Sequence, residues 1–483
     1  MKNIKNLFTA LLLLCATVAT AHDFEVDGIY YNVTDDEYGY VEVTYKERDE
    51  SSNVLSDYEG DVTIPETVNY RGIIYRVTSI GYGAFEGCES LTNVTIPNSI
   101  TSIEDKSFYG CTGLTSIAIP NSVVEIGECA DGDFDLGKGA FCGCTSLTNV
   151  TISNGVVSIG DHTFFGCARL KSIAIPNSVT VIGHAAFYNC PGLTSIVVAK
   201  GNTEYDSRYD CNAVIETSSN SLIIGCKNTK IPNSVTSIYD AFHGCTSLTS
   251  IIIPNSVTSI YGAFEGCTGL TSIVVAKGNT EYDSRYNCNA IIETATNTLI
   301  SGCKNTAIPN SVTSIGGGSF AGCSGLTSIV IPNSVTSIGE SAFYGCTGLK
   351  KVVNLSDLKF TKGSSDYGYI AYYADIVYNA PNSSIEINGD FIFDKPNGVN
   401  TLVYYFGNDT HIVLPDKHND KGYIIGADVF KDCDNILSVT IGTNVEGISE
   451  KAFGGFDNIA KVFWLPNTPP EGYEYLNGKI NYV

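Results

Sequence analysis

A Phe followed three positions later by a Cys recurs ten times along this chain, and four pairs of neighbouring copies begin 23 residues apart. The pairs are Phe85/Cys88, Phe108/Cys111, Phe141/Cys144, Phe164/Cys167, Phe187/Cys190, Phe242/Cys245, Phe264/Cys267, Phe320/Cys323, Phe343/Cys346 and Phe430/Cys433. Internal periods of 20 to 50 residues are typical of solenoids. One copy carries too few apolar side chains to order itself, because each contributes only about 2 kcal/mol. The coils must therefore stack on one another.

Within one copy the pattern changes from a strand to a turn. Val94 and Ile96 alternate with polar residues, which is the period of a short half-buried strand. Pro97 lacks an N–H and is predicted to end that strand. Ile100 and Ile103 are then predicted to point inward, and the repeat Phe and Cys to fill the far side as a buried structural ladder.

The pattern Leu-x-x-Val-x-Ile-Pro-x-Ser-Val-x-x-Ile-Gly-x-x-Ala-Phe-x-x-Cys resembles the BspA-like leucine-rich-repeat surface proteins of bacteria. The resemblance covers about residues 77–350, and residues 413–462 more loosely. It predicts a right-handed leucine-rich-repeat array of about 23-residue coils, built mainly of short parallel β-strands with turns and short helical segments. A β-rich N-terminal region is expected to cap the array.

The domain organisation predicted from these patterns has five parts. They are a signal peptide at 1–21, an N-terminal β cap at 22–76, a solenoid at 77–350, an irregular Tyr-rich segment at 351–412, and degenerate repeats with a C-terminal cap at 413–483. Insertions interrupt the solenoid at 128–137, 198–230 and 275–307.

The first 21 residues are predicted to direct export. Lys2 and Lys5 precede an apolar run that ends in Ala19-Thr-Ala21, an A-x-A cleavage pattern. Cys15 offers the alternative of a lipoprotein anchor, although the preceding Leu is larger than such signals usually carry. No later apolar stretch approaches the length of a membrane span. The protein is therefore expected to be secreted or held at a bacterial cell surface.

Charge and motifs argue against several functions. The formal net charge of −23 argues against nucleic acid and against an anionic membrane as partners. The six His fall in no H-E-x-x-H pattern, and neither a G-x-S-x-G turn nor a phosphate-binding loop occurs. We therefore expect no enzyme, no cofactor and no metal site.

Two near-identical insertions carry cysteines that the repeat does not need. Cys211 and Cys226 lie symmetrically about a predicted hairpin, and Cys288 and Cys303 lie in the same way in the second copy. Cross-strand neighbours are close enough for a disulfide. The pattern leaves open two disulfides or two pairs of buried thiols.

A third insertion is acidic. Asp131, Asp133 and Asp135 have the spacing of a calcium loop, but Cys142 stands where the bidentate Glu is expected. A solvated acidic loop is the favoured interpretation. Cys129 and Cys142 flank this insertion and are a further candidate for a disulfide.

The outward positions of the predicted strands define two rows on the concave sheet. The first row is Asn93, Ser116, Asn149, Ser172, Ser195, Ser250, Ser272 and Ser328. The second row is Thr95, Ala118, Thr151, Ala174, Val197, Ile252, Val274 and Val330, and it becomes apolar toward its end. An exposed apolar row of this kind marks a partner site or is covered by a neighbouring element.

The sequence therefore favours a non-catalytic, adhesin-like scaffold that binds proteins through this sheet. The binding residues we predict are Asn93, Thr95, Ser116, Ser195, Val197, Ser250, Ile252, Ser272, Val274, Ser328 and Val330. The resemblance implies extracellular partners, either host matrix or plasma proteins such as fibronectin and fibrinogen, or other bacterial surfaces. Alternatives are a passive structural surface protein, or glycan binding by the segment that contains Tyr367, Tyr369, Tyr372 and Tyr373.

Overall fold

The structure is a computed structural model, and it describes most of the chain after residue 21. The described residues are 22–48, 54–128, 139–380, 385–395, 398–405, 407, 409–430, 436–449, 451–453, 461–464 and 480–482. The predicted signal peptide, the acidic triad Asp131, Asp133 and Asp135, and both Cys129 and Cys433 lie outside them. The chain divides into two compact units, the first formed by 1–306, 316–326 and 343–346, and the second by 307–315, 327–342 and 347–483.

The first unit is built almost entirely from short strands. They are β1 (Phe24–Val26), β2 (Ile29–Asp35), β3 (Tyr40–Thr44), β4 (Glu47–Arg48), β5 (Val54–Leu55), β6 (Gly60–Thr63), β7 (Thr67–Tyr70), β8 (Ile73–Ile80), β9 (Leu91–Thr95), β10 (Ser102–Ile103), β11 (Ser116–Ile119), β12 (Glu125–Ile126), β13 (Asn149–Ile152), β14 (Ser158–Ile159), β15 (Ser172–Ile175), β16 (Val181–Ile182), β17 (Ser195–Val198), β18 (Tyr205–Asp206), β19 (Ala213–Glu216), β20 (Ser221–Gly225), β21 (Ser237–Tyr239), β22 (Ser250–Ile253), β23 (Ser259–Tyr261), β24 (Ser272–Val275), β25 (Tyr282–Asp283), β26 (Ala290–Glu293) and β27 (Thr298–Gly302).

Each coil contributes two strands to two different parallel sheets. The strands before the Pro form one sheet in the order β17-β15-β13-β11-β9-β6. The two-residue strands after the Pro extend a second sheet from β8 through β10, β12 and β14 to β16. Most inward side chains of the coils, among them Val94, Ile100 and Ile103, are fully or almost fully buried. Stacking thus completes the core that one coil could not form alone.

The third side of each coil is a turn and contains no helix in the described repeats. Its backbone bonds to the next coil, with Phe108 N–H donating to Ala140 O at 2.8 Å and Gly110 N–H donating to Cys142 O at 2.8 Å. The described helical segments are two 3₁₀ turns, Arg208–Asp210 and Arg285–Asn287, and both lie in the insertions. The predicted short helical segments are therefore wrong for the coils, because hydrogen bonds between coils replace those within a helix.

An antiparallel sheet covers the N-terminal end of the first unit. β1, β2 and β3 pair antiparallel, and β3 then pairs parallel to β8. Tyr31, Val41 and Val43 bury their side chains beneath this sheet.

The two insertions form hairpins whose register contradicts the predicted cysteine alignment. In the first hairpin Glu216 pairs with Ser221, but a β-bulge after Val214 shifts the register by one residue, so that Ala213 pairs with Gly225. The second hairpin has the same bulge. A bulge places two residues opposite one and reverses the side-chain alternation beyond it.

The bulge moves both cysteine pairs out of cross-strand alignment. Cys211, Cys226, Cys288 and Cys303 are free, buried thiols in the structure. The Cys226 thiol donates to the carbonyl of Asn212 at 3.5 Å. The prediction that the two cysteines of each pair face each other across the hairpin is wrong. The alternative prediction, two pairs of buried thiols, agrees with the structure. Cys142 is likewise a free, buried thiol.

The second unit is also built from short strands. They are β28 (Ser314–Ile315), β29 (Ser328–Ile331), β30 (Ser337–Ile338), β31 (Lys351–Asn354), β32 (Ile376–Asn379), β33 (Glu386–Asn388), β34 (Phe391–Asp394), β35 (Thr401–Tyr405), β36 (His411–Val413), β37 (Tyr423–Ile425), β38 (Ser438–Ile441), β39 (Val445–Ile448), β40 (Lys461–Trp464) and β41 (Ile480–Tyr482).

The segment 351–412 is more regular than its sequence indicates. β31 and β32 continue the parallel pairing of β29. β33, β34 and β35 form a further antiparallel set with a bulge, and β35 then pairs parallel to β37. This is the pairing of β18, β19, β20 and β21 again, without the insertion cysteines. The motif was not recognised there because Tyr and Phe replace the usual Ile and Val.

Candidate binding surface

The first predicted row is in register across the long sheet of the first unit. Ser116 pairs with Asn93 on one side and with Asn149 on the other, and Ser172 pairs with Asn149 and Ser195. All five side chains are exposed or half-exposed. They form a polar line with hydroxyls and amides but no charge.

The second row runs beside the first and changes from polar to apolar. Thr95, Ala118, Thr151, Ala174 and Val197 are all exposed. Val197 is 51% exposed, and in the separate sheet of β22 and β24 Ile252 and Val274 are 64% and 45% exposed. A parallel sheet is usually covered on both faces, so these uncovered aliphatic side chains are candidates for contact with a partner.

The insertion at 198–230 separates two parts of the rows that were predicted to lie on one sheet. β17 ends the long sheet, whereas Ser250 pairs with Ser272 and Ile252 pairs with Val274 in a sheet of their own. The prediction of one continuous sheet is therefore wrong. A groove of about 430 Å³ lies beside Ile252, and it is lined by Lys230 at the end of the insertion and by Ile231 next to it. Sequence analysis did not single out these two residues, although Ile231 precedes Pro232 as Ile96 precedes Pro97.

The last member of the second row is covered inside the second unit. Val330 is half-buried and packs against a cluster that contains Val353, Ile376, Ile392 and Tyr404. Ile392 and Tyr404 come from the antiparallel pair β34 and β35. Val330 is therefore wrong as an exposed binding residue, whereas Ser328 is half-exposed.

The tyrosines named in the sequence analysis form a cluster in the turn between β31 and β32. Tyr372 packs edge-on against Tyr369 and Tyr373, with ring centroids 5.4 and 4.9 Å apart. Tyr367 packs on Phe360 at 5.4 Å. Tyr372 is 48% exposed, and the other three are less exposed.

The Phe and Cys residues of the ladder lie in the interior. All eighteen predicted members between Phe85 and Cys346 are at most 7% exposed. Phe108, Phe141 and Phe164 stack with ring centroids 4.8 and 5.4 Å apart. The Cys144 thiol donates to the carbonyl of Phe108 in the preceding coil at 3.1 Å. This bond explains why a Cys fits the position better than a purely apolar residue.

Burial also sets the chemistry of these thiols. It raises the pKa of Cys111, Cys144 and Cys167 well above the usual range of a thiol, and that of Cys142 to about 11. A thiol that stays protonated is a poor nucleophile and a poor metal ligand. The ladder therefore has a packing role.

Two histidines and a tyrosine outside the ladder form a small cluster. His184, Tyr188 and His243 lie together, with the Tyr188 and His243 rings stacked at 4.6 Å. Among the residues that the structure describes, no group of three or more His, Cys, Asp or Glu is placed to hold a metal ion. In the same ranges, no helix is long and apolar enough to cross a membrane.

The stacked coils, the parallel strands and the buried ladder define the protein as a leucine-rich-repeat solenoid. The sequence profile described as BspA type Leucine rich repeat region matches six copies, over residues 67–130, 135–225, 215–302, 297–365 and 400–471. The chain belongs to this family. Its members are repeat scaffolds that generally bind proteins and are generally not enzymes.

Several solved structures are similar to this chain. A leucine rich cell surface protein from Faecalibacterium prausnitzii A2-165 is 26% identical, with 68% of this chain and 94% of that one covered and a TM-score of 0.40. A leucine-rich repeat protein from Bacteroides ovatus ATCC 8483 is 26% identical, with 96% and 100% covered and a TM-score of 0.39. The pneumococcal vaccine antigen PcpA is 14% identical, with 95% and 96% covered and a TM-score of 0.41. No curated protein matches the sequence.

Proposed function

We propose that this protein is an exported, adhesin-like scaffold that binds other proteins through the exposed rows of its first unit and catalyses no reaction. The observation that carries the proposal is the row of Val197, Ile252 and Val274, which stays 45–64% exposed on parallel strands. β-Branched side chains at this density on an open sheet favour contact with a partner over solvent.

The polar row beside it would supply specificity. Its serines and asparagines can donate and accept hydrogen bonds without the desolvation cost of a charge. A surface of this kind fits a protein partner that presents apolar side chains among backbone amides. We propose an extracellular protein of a host matrix or of another bacterial surface as that partner, in keeping with the predicted export signal.

The experiment measures binding of the mature chain to immobilised fibronectin and fibrinogen and to whole bacteria by surface plasmon resonance. The test variant is Ile252→Asp combined with Val274→Asp, which places two charges in the proposed interface. Val181→Asp is the matched control, because Val181 is 42% exposed but lies on β16 in the other sheet. Val330 is not substituted because it packs within the second unit.

We expect the double variant to lose at least tenfold in affinity for any ligand that the wild type binds, while Val181→Asp keeps it. Each buried aliphatic contact replaced by a carboxylate removes roughly 1–2 kcal/mol. Unchanged binding by the double variant would exclude this face as the interface. Absence of binding to all ligands would favour a passive structural surface protein.

A further inference from the structure

Two consecutive coils of the first unit depart from the repeat at the corner after the second strand. Most copies have Ile-Gly there, as in Ile315-Gly316, but these two have Tyr239 and Tyr261 in place of the Gly. In both coils the repeat Phe also follows the strand Ile by four positions, whereas Phe320 follows Ile315 by five. The corner is thus shorter by one residue and carries an aromatic ring.

The register aligns the two rings. Tyr239 pairs with Tyr261 across β21 and β23, and the rings stack with centroids 5.4 Å apart and an angle of 13° between their planes. They are 47% and 66% exposed. Large aromatic side chains that remain this accessible next to a cavity are typical contacts for a ligand.

The stack ends at Tyr261 because β23 is the last strand of its sheet. The next copy of the corner has Gly316, and both Tyr261 and Gly316 line a groove of about 760 Å³. Because Gly316 has no side chain, the groove stays open at this position. Its volume lies within the roughly 300–1,000 Å³ of small-molecule sites.

The other wall of the groove is polar. Asp240, His243 and Glu265 line it together with Tyr188, whose hydroxyl donates to the Asp240 carboxylate. Burial raises the pKa of Asp240, and the hydrogen bond from Tyr188 lowers it. Glu265 is exposed. The groove thus offers an aromatic face on one side and hydrogen-bond acceptors with an imidazole on the other.

We propose that this groove binds a neutral oligosaccharide, with one pyranose ring stacked on Tyr261 and sugar hydroxyls donating to Asp240 and Glu265. A pyranose combines an apolar C–H face with a rim of hydroxyls, which matches the two walls. The carboxylates and the net charge of −23 disfavour an anionic sugar. A peptide that added a strand to β23 would find an edge of only three residues, Ser259–Tyr261.

This site is separate from the protein-binding surface proposed above. No residue of the two exposed rows lines the groove. Either proposal can therefore fail without the other.

The test uses the mature chain on an array of neutral gluco-, manno-, galacto- and xylo-oligosaccharides. Sialylated and sulfated oligosaccharides are the anionic probes, and a proline-rich peptide represents the competing class of ligand. Affinity for the best neutral probe is then measured by calorimetry for the wild type and three variants.

Tyr261→Ala removes the stacking face and should weaken binding about tenfold. Gly316→Tyr places a ring inside the groove and should block binding. Tyr344→Ala is the control, because Tyr344 is 55% exposed and lies outside the groove, and it should leave affinity unchanged. Melting curves of the variants establish that each is folded.

Three results would overturn the proposal. One is that no neutral oligosaccharide binds the wild type. Another is that Tyr261→Ala and Gly316→Tyr both bind as tightly as the wild type. The third is that only anionic probes or the proline-rich peptide bind, which would assign the groove to a different ligand.

Discussion

Replacing Phe141 by Ala should destabilise the first unit more than any surface change in the same coil. Phe141 is completely buried, and its ring lies 4.8 Å from that of Phe108 and 5.4 Å from that of Phe164. Removal of a buried Phe side chain costs about 3–5 kcal/mol. That range already includes lost contacts, and the two ring pairs of about 0.5–1.5 kcal/mol each place Phe141 toward its upper end, so we expect about 4–5 kcal/mol.

Urea unfolding followed by circular dichroism measures this loss. Phe165→Ala is the matched control, because Phe165 lies in the next coil and is only half-buried, and its loss should be about 1–2 kcal/mol. A loss below about 2 kcal/mol for Phe141→Ala, or equal losses for the two variants, would refute the stacked ladder as the source of stability.

Substitutions at two further positions test the backbone conformation and a half-buried carboxyl group. Gly143→Ala should lower the free energy of unfolding by about 1–2 kcal/mol in the same urea assay, because Gly143 has φ +75°. Gly143→Asn should lower it less, since Asn189 holds the equivalent position at φ +55°. Equal losses for the two variants would contradict this reason. Burial first, and the charge of Glu42 second, raise the pKa of Glu104, so its folded-state pKa lies above the unfolded one. Its stabilising contribution is therefore complete below about pH 4 and is lost as pH rises through the folded pKa. Glu104→Gln should flatten the fall in melting temperature from about pH 4 to pH 7, and parallel curves for variant and wild type would show the inference to be wrong.

The repeat itself could be predicted from local pattern. Alternation at Val94 and Ile96 followed by Pro97 predicts a strand and its end, and the structure has β9 at Leu91–Thr95. Equal spacing then aligns equivalent residues such as Ser172 and Ser195 across the sheet. The Gly before most repeat Cys residues was not singled out, although its positive φ, as at Gly143, lets neighbouring turns approach closely.

Departures from the repeat were harder to predict because they depend on contacts between distant segments. One residue added at the bulge after Val214 is invisible in a symmetric Cys spacing, yet it decides where Cys211 and Cys226 point. Val330 has the same sequence context as Val274, but β34 and β35 supply a cover for it within the second unit.

What the sequence determined by itself is therefore the coil and its interior. Each copy specifies its own strand, corner and ladder residues, and these are local properties. The tertiary structure alone decided which outward side chains remain exposed to solvent and at which strand each sheet ends. The groove at Tyr261 is open because β23 is the last strand of its sheet and because Gly316 has no side chain. Neither Tyr261 nor Gly316 predicts the groove from the sequence, because the two residues meet only in the folded chain.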